Sequence, residues 1–90
     1  MSASALAIGW DGGERGRVVT LAGENITVRS SKPFAPGSRP EGKVGSSDTL
    51  RMKTHRCRRE DGEDGLLYTI EGRALDMPRD LRVRLEELTR

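Results

Sequence analysis

Apolar and polar residues alternate along most of this chain, and the period changes once, near the end. The segment Arg17–Leu21 carries Val18, Val19 and Leu21, and Ile26-Thr27-Val28-Arg29-Ser30 alternates apolar with polar. Between them Ala22-Gly23-Glu24-Asn25 reads as a tight turn, with Gly23 or Asn25 able to take positive φ. Together these segments predict a β-hairpin. Glu41–Val44 predicts a short strand, followed by a turn at Gly45-Ser46-Ser47-Asp48. Thr49–Arg58 predicts a long strand with Leu50, Met52 and Thr54 on one face. Cys57 breaks that parity, so either both faces are partly buried or a bulge re-phases the strand near His55. Leu66–Ala74 predicts a partner strand around the acidic loop 60–65, with Leu66, Tyr68, Ile70 and Ala74 sharing a face.

Two stretches interrupt the pattern. Ser31–Pro40 holds Pro33, Pro36, Gly37 and Pro40, which cannot all sit in one regular element, so it is a loop. Its Phe34 is expected to plug one end of a small core. At the start, Leu6, Ile8 and Trp10 alternate with Ala5, Ala7 and Gly9. Residues 1–15 are therefore either an edge strand or a flexible arm ahead of a domain spanning 16–90. At the other end, Leu81, Leu85 and Leu88 fall at i, i+4 and i+7, the apolar stripe of a helix over 78–89. Pro78 suits the first turn and Asp76 or Asp80 the positive helix N-terminus. All three leucines are expected to face the sheet. The sum is a mainly β fold of about six antiparallel strands and one C-terminal helix. With so little apolar mass, closure into a small barrel is the economical solution, because closure removes exposed edges.

Composition narrows this picture. Ninety residues suffice for one domain. Leu, Ile, Val and Phe make up eighteen of them, the lower edge of what a packed core needs. No apolar run approaches the roughly 20 residues of a membrane span. Cys57 is the only cysteine, so no disulfide framework exists. The short apolar opening lacks the basic flank of a signal peptide. These features point to a cytoplasmic protein without membrane insertion.

The chemistry-bearing residues are few. His55 and Cys57 share a strand face if no bulge intervenes, but nothing suggests an orienting group or an oxyanion hole, so no catalytic residue is assigned and no enzyme is expected. One Cys and one His cannot build a four-ligand zinc site, and the acidic loop is too short for an EF-hand, so no metal or cofactor is expected. The strand Arg51–Arg59 concentrates Lys and Arg and offers a basic surface for an anion, nucleic acid included, or a solvated face offset by the acids after it. A net charge of +2 and three aromatic residues count against nucleic acid, which needs stacking platforms along a groove. Arg15 and Arg17 flank Gly16 just ahead of the first strand, where two guanidinium forks could grip a phosphate.

The order of parts resembles the PilZ family over residues 16–90. The likeness runs through the opening hairpin Gly16-Arg17-Val18-Val19-Thr20-Leu21 and the loop Pro33-Phe34-Ala35-Pro36-Gly37-Ser38. It continues through the basic strand Leu50–Arg59 and the strand-to-helix segment Ile70–Pro78. The resemblance implies a six-stranded barrel with a C-terminal helix, and a non-enzymatic signalling module. Typical members bind the bacterial second messenger cyclic di-GMP through an R-x-x-x-R arm and a D/N-x-S-x-x-G hairpin. Here the arm offers only Arg15-Gly16-Arg17, and the hairpin reads Thr20-Leu21-Ala22-Gly23-Glu24-Asn25. Thr20 stands for the acid or amide, Ala22 for the serine and Asn25 for the glycine, and Glu24 adds a negative charge. The resemblance thus implies an adapter acting through a protein partner, with cyclic di-GMP binding weak or absent. The alternative is a cyclic di-GMP receptor that uses Arg15 and Arg17 as a shortened clamp.

Overall fold

The computed structural model describes residues 6–45, 48–62 and 65–89. Six strands and one helix follow in order: β1 (Ala7–Trp10), β2 (Arg15–Ala22), β3 (Asn25–Ser30), β4 (Glu41–Val44), β5 (Asp48–Arg59), β6 (Tyr68–Leu75) and α1 (Arg79–Leu88). The strands close into an antiparallel barrel in the order β1-β2-β3-β6-β5-β4. The period of two decides what lies inside. Ile26, Val28 and Ser30 of β3, Leu50, Met52 and Thr54 of β5, and Ile70, Gly72 and Ala74 of β6 are all buried.

Of the two readings of the first residues, the strand holds and the arm does not, but β1 is no edge. Ile8 pairs with Gly16 on one side and Val44 on the other, so β1 closes the barrel. The drive is Trp10, the chain's one tryptophan, which is 3% exposed. Its indole fits because its cross-strand neighbours have no side chain. A Cβ on Gly16 would lie 2.8 Å from Trp10 Nε1, and one on Gly42 3.0 Å from Trp10 Cε3. Residues 1–5 lie outside the described residues.

Bulges re-phase two strands. One between Val18 and Thr20 leaves both Val19 and Thr20 outward and returns Leu21 to the inside. The other falls between Thr54 and Arg56, at His55, and decides between the two readings of β5. Beyond it Cys57 is half-buried against the core. Opposite this bulge the barrel leaves no room. A Cβ on Gly72 would come within 2.1 Å of the Lys53 carbonyl oxygen.

The barrel has two differently closed ends. At one, α1 packs against the core through Leu81 and Leu85, which are essentially inaccessible. Pro78 precedes the helix and Asp80 occupies its first turn, where the helix dipole favours an acid. Leu88 departs from expectation, because it is 37% exposed. It is the last helical residue, and the buried stripe stops one turn earlier at Leu85. At the other end Phe34 meets Trp10 edge to face, ring centroids 5.0 Å apart, as a partial plug. Lys32 lies over the outer side of the Phe34 ring. The segment carrying Phe34 is held along β5 by Thr54, whose N–H donates to the Ser38 carbonyl and whose carbonyl accepts from Gly37.

Candidate functional site

Arg15 and Arg17 are both exposed on the outer face of β2, with Gly16 turned inward between them. The structure thus brings the pair together on one face. They border a shallow depression of about 220 Å³ whose other lining residues are Ala7, Ile8, Gly16 and Leu66. Leu66 is buried although it precedes β6, which begins only at Tyr68. Ser31 anchors the start of β2. Its Oγ accepts from the Arg15 N–H at 3.0 Å and donates to Glu14 Oε1 at 2.9 Å. The Arg15 guanidinium stands beside Gly65, where a Cβ would lie 3.1 Å from Nη2. Arg17 makes a contact of its own within the molecule.

Behind this rim lies Arg29, a residue that sequence reasoning passed over. It pairs across β2–β3 with Arg17 and across β3–β6 with Thr69. Its guanidinium donates to Thr69 Oγ1 at 2.8 Å, to the Glu60 carbonyl at 2.6 Å and to the Leu66 carbonyl. The Glu60 N–H in turn donates to the Leu67 carbonyl at 2.8 Å. One side chain therefore clasps both feet of the β5–β6 loop. The hydrogen bond from Thr69 holds the Glu60 carboxyl below the usual carboxylate range, aided by Arg58 and Arg29 and opposed by partial desolvation. The sequence signal for Arg29 was its outward phase in β3. Its partners come from a loop more than thirty residues away, so nothing local announced the clasp.

The basic strand is offset by acids from both neighbours. Arg51 meets Glu41 at 3.1 Å, Arg58 meets Glu60 at 3.4 Å and Glu71 at 3.7 Å, and Arg59 meets Asp61 at 2.9 Å. Asp61, first through its hydrogen bond, holds the Arg59 guanidinium even more firmly protonated than usual. The bulge at His55 breaks the parity that would set His55 and Cys57 on one face. Among the described residues no three His, Cys, Asp or Glu side chains are grouped to hold a metal ion. No helix of the described residues is long and apolar enough to cross a membrane.

The β2–β3 turn, where the family resemblance would place a nucleotide motif, is engaged by the helix. Gly23 takes φ of 62°. Its N–H donates to Glu86 Oε2 at 3.3 Å and its carbonyl accepts from Arg82. Glu24 pairs with Arg73 at 2.9 Å, and its carbonyl accepts from the Ala74 N–H at 2.8 Å. Ala22 is exposed and offers no hydroxyl. No protein-family model, curated protein or solved structure matches this chain.

Proposed function

We propose that this chain is a non-enzymatic binding module, a PilZ-like adapter that works through protein–protein contact and has lost the nucleotide. The observation that supports this reading is the state of the β2–β3 turn. Both backbone groups of Gly23 already have partners on α1, and the Glu24 carboxylate is paired with Arg73, so the polar groups of this turn are engaged within the molecule. Relative to the motif that the resemblance implies, the missing hydroxyl and amide remove charge-assisted contacts worth roughly 1.5–3 kcal/mol each. Every decade of affinity corresponds to about 1.4 kcal/mol, so losing several such contacts takes the site out of the micromolar range.

A second reading has one observation in its favour: Arg15 and Arg17 border a common depression and could serve as a shortened clamp for cyclic di-GMP. The nucleic-acid reading gains no comparable support, because Arg51, Arg58 and Arg59 each meet a carboxylate. Calorimetric titration with cyclic di-GMP decides between the first two. The adapter reading expects no fittable heat at millimolar ligand. A dissociation constant in the low micromolar range, abolished by Arg15→Ala and by Arg17→Ala, replaces it with the second.

A further inference from the structure

We infer that the depression between Arg15, Arg17 and Leu66 seats the C-terminal residue of a partner protein, an apolar side chain carrying a free carboxylate; this rests on the adapter reading and names its partner's chemistry. The depression is more apolar than polar, floored by Ala7, Leu66 and the Ile8–Gly16 backbone, while the Ile8 side chain is turned into the barrel. Its volume, about 220 Å³, is of the size of one large aliphatic residue. The Trp10 indole backs the wall at Gly16 so closely that no Cβ fits between them, which makes this wall rigid. No acid lines the depression among the described residues.

The anion contact has to come from side chains. The backbone here is committed to the β1–β2 ladder, in the pairs Ala7–Arg17, Ile8–Gly16 and Gly9–Arg15. Two residues apart on a strand, Arg15 and Arg17 have Cα atoms about 6.6 Å from each other and project to the same side. A guanidinium holds a carboxylate through two parallel N–H···O bonds. Arg17 already makes an internal contact, so Arg15 is the principal fork. A free phosphate gains nothing from an apolar floor, and an uncharged apolar group gains nothing from the guanidinium rim. A chain terminus with an apolar last residue satisfies both.

The probe is N-acetyl-L-leucine, followed by ¹H–¹⁵N NMR on the whole chain, with N-acetyl-L-leucinamide and inorganic phosphate at matched ionic strength as comparisons. The expected result is saturable shifts at the amides of Ala7, Gly16 and Leu66. Binding of the leucinamide should be weaker by about tenfold or more, the loss of one charge-assisted pair. Arg15→Ala should weaken N-acetyl-leucine by a similar factor, and Arg15→Lys by less, because it keeps the charge without the fork. Equal binding of the two leucine probes, competition by phosphate, or no saturable shift at these amides overturns the inference. Cyclic di-GMP in the same spectra separates the two levels. Nucleotide shifts at these amides sink the adapter reading itself, whereas a silent nucleotide with a silent leucine probe sinks only the inference.

Discussion

The two ends of the barrel are closed by different physics. At the helix end the seal is apolar, with Leu81 and Leu85 driven into the core and side-chain ties added around them. Those ties run from Arg82 and Glu86 to Gly23 and from Arg84 to Asp48. At the loop end the main apolar contact is one edge-to-face pair, Trp10 with Phe34; hydrogen bonds from the Thr54 backbone hold the Phe34 segment, and the polar clasp of Arg29 holds the β5–β6 loop. Apolar burial is indifferent to pH and is strengthened by salting-out ions. A half-exposed polar clasp responds to protonation and to salt. The helix end therefore carries stability, and the loop end carries responsiveness, next to the depression where a ligand is proposed to sit.

The largest effect that could break this contrast is at the helix. Leu85→Ala should cost about 2–5 kcal/mol in chemical denaturation, much of the stability of a small domain. An unchanged melting temperature would mean that the helix is not the main seal. Next comes Arg29→Met, which deprives the carbonyls of Glu60 and Leu66 of their donor; about 1–3 kcal/mol is expected. Hydrogen exchange should localise the damage, with the Glu60 amide losing protection while amides of the β2–β3 hairpin keep theirs. Uniform loss of protection would show that the two ends are not separable.

At the loop end acid should act through Glu60. Glu60 has a folded pKa below its unfolded value, so its contribution is present above the ordinary glutamate range and is lost as pH falls through the folded value. Exchange at the Glu60 amide, corrected for intrinsic rates, should rise over that window in the wild type. The same window should be flat in Glu60→Gln, where the group no longer titrates. Smallest of all is Leu88→Ala. Partly exposed beyond the buried stripe, it should shift stability by no more than about 0.5 kcal/mol in either direction. A loss comparable to that of Leu85→Ala would extend the apolar seal by a further turn.

Local pattern reached the helix end far better than the loop end. The stripe Leu81–Leu85, the turn at Gly23 and the bulge at His55 each come from residues a few positions apart, and sequence shows such spacings directly. The exposure of Leu88 does not, because periodicity gives a direction but not where the barrel beneath it ends. β1 was ambiguous because its partners, Gly16 and Val44, belong to different parts of the chain and closure leaves no local mark. Arg29 looked like any outward polar residue of a strand. Its role depends on a loop that returns to it only in the folded state. The Arg15–Arg17 pair was legible from strand spacing alone, but its apolar surroundings were not, since Ala7 and Leu66 arrive from opposite ends of the sequence.

The position of Trp10 has an optical consequence. It is the chain's sole indole fluorophore, it is sealed at the loop end, and its ring N–H has no hydrogen-bond partner among the described residues. Emission from it should be blue-shifted in the native state and should move red when the loop end admits water. The helix end holds no tryptophan and is invisible at that wavelength, whereas far-ultraviolet dichroism reports the helix. Unfolding followed at both wavelengths is thus a built-in test of cooperativity: coincident curves mean the barrel opens as one unit, and an early shift in emission means the aromatic plug lets go first.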